Sequence, residues 1–152
     1  MKKTLIVGIG SILRADDGVG ARIIDELKKD SLPKNVELHA GDISGLDLLK
    51  YFHGFKSIVI IDAANMNLEP GSVKVFNFSE IKKSNFNDKF STHGIALLET
   101  LTLAEKLDLG YDIKIVGIQP FCTDFNLKLS TLIESKIPAI IGAIKKIILK
   151  NA

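Results

Sequence analysis

Three aspartate positions in this 152-residue chain come directly behind apolar runs, where a carboxylate is free to do chemistry. The pair Asp16-Asp17 closes the stretch Gly8-Ile9-Gly10-Ser11-Ile12-Leu13-Arg14-Ala15, which itself follows Thr4 to Val7; Asp42 follows Val36 to Ala40, and Asp62 follows Ser57 to Ile61. Ligands of open α/β sheets bind outside the carboxyl ends of the strands, so carboxylates at three such ends imply a cluster on one edge. Any one of them alone equally fits a helix or turn cap, a common use of aspartate. A further candidate is His93, in Ser91-Thr92-His93-Gly94 just ahead of a predicted helix. The positive end of the helix dipole disfavours imidazolium there, leaving a neutral ring with a lone pair, as a metal requires. A surface histidine in a polar loop is the plainer alternative.

Carboxylates with one histidine form a ligand set suited to zinc, nickel or manganese and ill suited to copper(I). Without a cation, close carboxylates repel and one keeps its proton, so a bound metal and a proton-sharing acid pair are the two chemistries open to such a cluster. His39 alternates with Leu38 on a predicted strand and His53 follows Tyr51-Phe52, so both read as structural or surface residues. Cys122 has no basic neighbour in sequence that would make it a nucleophile. Gly8-x-Gly10 invites a dinucleotide site, but Leu13 stands where the third glycine belongs and two aspartates would repel the pyrophosphate. No phosphate-binding lysine follows the loop either.

The elements that must hold these residues follow from periodicity. Lys3 to Gly8 is continuously apolar enough for a strand buried on both faces, and Val19, Ile23, Ile24 and Leu27 then recur at helical spacing up to Pro33. Val36 to Ala40 alternates as a less buried strand. Leu46, Leu48, Leu49 and Phe52 support a short helix stopped by Gly54, and Ser57 to Asp62 is the most apolar, β-branched run in the chain. After the turn signal Glu69-Pro70-Gly71-Ser72, Val73 to Phe78 predicts a return strand antiparallel to the third, which makes the sheet mixed. Ser79 to Thr92 is rich in Lys, Asn and Ser and predicts a long mobile loop delivering His93. Ile95 to Leu107 predicts a helix, Ile113 to Ile118 the last buried strand, and Thr131 to about Leu149 a closing helix. Thr131-x-x-Glu134 fits a capping box for that helix, and Pro138 inside it predicts a kink or break.

With 46% hydrophobic and 25% charged residues, residues 1–152 are expected to form one α/β domain with a real core. A net charge of +2 without blocks of like charge excludes a nucleic-acid binder. A single cysteine excludes an internal disulfide, and the chain has no apolar span of about 18 residues and no cleavable signal region. A cytoplasmic monomer with no membrane association is expected.

Several blocks, in order, carry a resemblance: Gly8-Ile9-Gly10-Ser11-Ile12-Leu13 through Asp16-Asp17-Gly18-Val19-Gly20, then Ile61-Asp62-Ala63, Pro70-Gly71-Ser72-Val73, Ser91-Thr92-His93-Gly94 and Gly117-Ile118-Gln119-Pro120. Over nearly its full length the chain resembles a hydrogenase maturation endopeptidase. The resemblance implies a three-layer α/β/α fold on a mixed, mainly parallel five-stranded sheet with the fourth strand antiparallel. It also implies an endopeptidase that removes the C-terminal extension of a [NiFe] hydrogenase large-subunit precursor after nickel insertion. The nickel would come with the substrate as a recognition anchor, with no organic cofactor. The family's metal-anchoring residues match Asp17, Asp62 and His93 here. Ser11 departs from the usual asparagine and Lys128-Leu129-Ser130 from the more usual Gly-Leu-Ser, which bears on substrate preference rather than on the proposed ligands.

Because successive side chains at a helix start diverge by about 100 degrees, Asp16 and Asp17 are expected to separate: Asp16 to cap the first helix, Asp17 to face the cleft. Asp16→Asn is then expected to keep near-normal stability. Two other functions fit the same cluster, a non-catalytic metal-binding chaperone module for a metalloprotein and a small stand-alone metallohydrolase.

Overall fold

The computed structural model describes residues 2–43, 45–80 and 94–151. Strands and helices alternate along these residues as β1 (Thr4–Ile9), α1 (Val19–Leu27), β2 (Val36–Gly41), α2 (Leu49–Phe52), β3 (Ser57–Ala63), β4 (Val73–Asn77), α3 (Gly94–Lys106), β5 (Asp112–Ile118) and α4 (Thr131–Asn151). Short 3-10 turns lie at Ala15–Gly18, Gly45–Leu48 and Phe78–Glu80. The strands form one sheet in the order β2-β1-β3-β5-β4, parallel except where β4 runs against β5. This is the mixed five-stranded sheet implied by the family resemblance.

Strand periodicity divides the core into two layers. Leu5, Val7, Ile9, Ile58, Ile60, Ile113 and Ile115 face Leu48, Phe52, Leu97 and Leu101, on the side of α2 and α3. The alternate residues Ile6, Val59, Ile61, Val116 and Ile118 face α1 and the long apolar stripe Ile133, Ile137, Ile140, Ile144 and Ile148 of α4. Each fully buried Ile, Leu or Phe contributes about 1.5–3 kcal/mol of transfer free energy, so the all-buried β3 anchors both layers and holds its last residues in place.

Three local expectations change. β4 does run opposite to β3, but β5 lies between them, and the pairs are Val73↔Ile118 through Asn77↔Lys114. β5 is buried nearly throughout whereas β4 is half-exposed, so the more apolar strand takes the interior position and the alternating one takes the edge. α4 runs through the exposed Pro138 as one helix, so the proline marks no break. The cap of α4 is Ser130 rather than Thr131: Ser130 Oγ accepts from the Ile133 amide at 3.3 Å. The loop predicted over Ser79 to Thr92 begins with the turn Phe78–Glu80, and residues 81–93 lie outside the described part of the chain. No helix among the described residues is long and apolar enough to cross a membrane.

Candidate active site

Two glycine contacts set the position of the first loop. A Cβ on Gly8 would lie 2.3 Å from the Gly20 carbonyl oxygen, and one on Gly20 would lie 2.8 Å from the Ile61 carbonyl oxygen. The glycines therefore let α1 begin almost in backbone contact with β1 and β3, and the close approach serves the helix rather than a bound phosphate. Gly10 has φ +131°, and a Cβ there would lie 2.0 Å from the Asp17 carbonyl oxygen. The loop thus folds back onto its own aspartates.

Those aspartates occupy the 3-10 turn Ala15–Gly18, and α1 starts one residue later with no acidic residue in its first turn and no side-chain cap. Asp16 does not cap α1. Its buried carboxylate (0% exposed) accepts from the amides of Phe121 and Cys122 at 2.9 Å each, and from the amide and hydroxyl of Ser130 at 2.8 Å each. Asp16 therefore holds the α4 cap residue by its free amide, the part that a glutamate within the helix plays in a capping box. Glu134, the residue expected in that part, instead pairs with Arg22 of α1 at 2.8 Å. The Asp16 amide donates to the Cys122 carbonyl at 2.9 Å, so chain segments more than a hundred residues apart are clamped at both ends of one residue.

Asp17 turns the other way. It is 1% exposed, and its Oδ2 accepts from the Ser11 amide at 2.8 Å, within the loop that leaves β1. Asp62, also 1% exposed, lies one residue from the end of β3, in register with Gly117 of β5. β1 and β3 are parallel neighbours, and the Ala15–Gly18 turn packs against β3, so both carboxylates sit at the same carboxyl edge. Asp42 ends β2 on this edge but is exposed, near Asp47, Lys50 and Tyr51. His39 bonds Glu37 at 2.9 Å and packs edge-on to Tyr51, and His53 is exposed at the end of α2, both as structural or surface residues. His93 lies outside the described residues. Among the described residues no three His, Cys, Asp or Glu side chains group as a metal site. Cys122 is half-buried, with its sulfur 3.6 Å from Asp124 Oδ2.

Behind Asp62 the chain is ordered by Gln119, part of the Gly117-Ile118-Gln119-Pro120 block. Its Oε1 accepts from the amide of Met66 at 2.6 Å and that of Leu68 at 3.4 Å, while its Nε2 donates to Asn65 Oδ1 at 3.3 Å. Sequence reasoning assigned Gln119 no role. Its signal was there, a lone amide side chain at the end of a buried strand.

Next to the carboxylates the surface becomes apolar. Ile12, Leu13, Phe121, Phe125 and Leu127 are between 48% and 80% exposed. The Asn126 amide donates to the Leu13 carbonyl at 3.0 Å and the Ala15 amide to the Asn126 carbonyl at 2.9 Å, aligning residues 13–15 with residues 125–127. A cleft of about 770 Å³ opens between this pair of segments, α1 and the start of α4, walled by Ile12, Ala15, Ala21, Leu127 and Leu129. A cleft of this size accepts several residues of an extended chain.

Residues 21–147 match the model of a family described as hydrogenase maturation protease. The hydrogenase expression/formation protein HupD of Rhizobium leguminosarum bv. viciae is 31% identical over 142 residues, covering 91% of this chain and 70% of that protein. HupD of Bradyrhizobium diazoefficiens is also 31% identical, over 120 residues, and there the match spans 78% of this chain and 62% of that protein. The chain thus spans about two thirds of the length of these relatives. In fold it is similar to the hydrogenase maturating endopeptidase HybD from E. coli, with a TM-score of 0.85 at 24% identity over 99% of this chain and 94% of that one.

Proposed function

The chain belongs to the hydrogenase maturation proteases, a family of peptide hydrolases, and from that premise we propose that it removes the C-terminal extension of a [NiFe] hydrogenase large-subunit precursor. The observation that carries the proposal is the pair of buried carboxylates, Asp17 after β1 and Asp62 on β3, at one sheet edge beside an apolar cleft. In this reading nickel is substrate cargo. It is carried in by the precursor, and Asp17, Asp62 and His93 supply two carboxylate oxygens and an imidazole nitrogen, a donor set that suits it. The enzyme works in the cytoplasm as a monomer.

Anchoring at the metal converts recognition of one peptide bond into an intramolecular positioning problem. Holding reactants in place can supply on the order of 7–11 kcal/mol of a barrier when alignment is good. This accounts for selectivity in a chain whose only thiol, Cys122, lies beside a carboxylate rather than a base. The amide that bonds Asp17 and the buried surroundings of Asp62 keep the two carboxylates in fixed directions.

The test is incubation of the pure protein with nickel-loaded and nickel-free precursor, read by mass spectrometry. Loss of a C-terminal fragment from the loaded form alone is expected. Equal cleavage of both forms overturns the anchor, and binding without cleavage points to a chaperone module.

A further inference from the structure

The exposed apolar side chains of the first loop and of the segment after β5 have no role in anchoring a metal, yet their two segments are tied together by Asp16, the most buried carboxylate among the described residues. We propose that Ile12, Leu13, Phe121, Phe125 and Leu127 form a docking platform for an extended apolar segment of the precursor polypeptide, held in shape by Asp16 as a positioning residue. The inference rests on the proposed function above and names the part of the substrate that this surface takes.

Three observations carry it. First, the platform is a made arrangement rather than scattered exposure. Asp16 holds Phe121 and Cys122 at one end of the segment and Ser130 at the other, and the backbone bonds of Asn126 to Leu13 and Ala15 hold its middle. Phe125 and Leu127 stay 80% and 70% exposed on a segment tied down at three points, so the fold presents them on a fixed backbone rather than on a loose one.

Second, the platform is continuous with the carboxylate edge. Ile12 and Leu13 belong to the loop whose Ser11 amide bonds Asp17, and the Phe121 amide bonds the residue next to it. A chain lying on the platform is therefore delivered to Asp17. The neighbouring cleft, with apolar walls and a rim of both signs from Arg22, Asp25, Lys128 and Glu134, suits side chains of a polypeptide rather than a lipid surface, which would call for a uniformly basic rim.

Third, size selects a segment over a second copy of this chain. Five residues exposed by 48% to 80% offer about 600 Å², the upper end of a single functional patch and short of the about 800 Å² per partner of a stable interface.

The experiment measures steady-state cleavage of the nickel-loaded precursor by the unaltered protein, by the double variant Phe125→Ser/Leu127→Ser, by Asp16→Asn, and by Leu149→Ser as an equally exposed control on α4. The double variant is expected to raise KM about tenfold or more with kcat within about twofold, since it removes contacts made before and during the reaction alike. Asp16→Asn at a temperature well below its melting point is expected to raise KM in the same sense, and Leu149→Ser to change neither constant. An unchanged KM in the double variant overturns the platform while leaving the proposed function standing. A loss confined to kcat overturns it as well, because the side chains would then act on the chemistry. Self-association of the unaltered protein that the double variant abolishes, with KM unchanged, makes a second copy the occupant and overturns the proposal. Failure of the unaltered protein to cleave overturns the proposed function and the platform together.

Discussion

Two stretches of one sheet edge carry the same residue type in opposite environments. At the ends of β1 and β3, Asp16, Asp17 and Asp62 are at most 1% exposed, whereas Asp42 at the end of β2 is exposed beside Asp47, which pairs with Lys50 at 3.0 Å. Burying a carboxylate costs several kcal/mol unless protein groups or a ligand replace the lost water. The β1–β3 side buries three carboxylates within a small region, each in need of such replacement, whereas Asp42 on the β2 side keeps its water. Even within the buried group roles divide: Asp16 takes four donors from the far end of the chain, while Asp17 faces its own loop.

The sharpest way to break the comparison is to remove charge from the buried side. Asp17→Asn and Asp62→Asn keep size and hydrogen-bonding capacity but lose the negative charge a metal needs, so precursor cleavage is expected to fall by about a thousandfold or more, with the melting temperature changed little. Retained cleavage in either variant would place the chemistry elsewhere.

Next in size is Asp16→Asn, now expected to act on stability. An amide in place of the carboxylate turns an NH2 group toward backbone amides that accept nothing, which costs about 3 kcal/mol, or roughly 6–12 °C in Tm for a chain of this length. Asp42→Asn is expected to stay within about 0.5 kcal/mol. Thermal unfolding of the two variants side by side tests the contrast, and equal losses would dissolve it.

What the sequence disclosed and what it withheld follow from distance along the chain. The β-branched run at Ser57 to Asp62 and the stripe of α1 were legible because burial on two faces or one imposes a local period. Asp17 and Asp62 could be grouped because strand ends in such sheets share an edge. The partners of Asp16 were not legible, since they lie 105 to 114 residues away and are mostly backbone amides, which have no side-chain identity to read. For the same reason Ser130 was missed as the α4 cap: the local pattern Thr131-x-x-Glu134 looked complete, and the group completing the true cap came from Asp16. The neighbour of β4 was likewise a question of which strand outcompetes which for the interior, settled by β5 being the more apolar.

The smallest expected effect comes from an ion pair of the solvent-exposed kind. Glu26 sits on α1 with its carboxyl held below the usual range, first by Lys29 at 2.9 Å and then by Arg22. Arg22 in turn is raised above its ordinary value, by Glu134 first and Glu26 second. The signs follow from linkage. A carboxyl lowered in the folded state stabilises it above the ordinary carboxylate range, and that contribution is lost as pH falls through the lowered folded value; the raised Arg22 keeps its contribution at every pH below about 12. Glu26→Gln should therefore lower Tm slightly at neutral pH and low salt, and the difference from the unaltered protein should close as pH falls through the lowered folded value. Raising the salt at neutral pH should close it too, because exposed charges are screened over about 8–10 Å near physiological ionic strength. The Asp16→Asn loss, arising from a fully buried carboxylate, should survive the same salt. A Glu26→Gln difference that persists in high salt would mean that the surface pair is held as firmly as the buried clamp, and the division between the two kinds of carboxylate would fail.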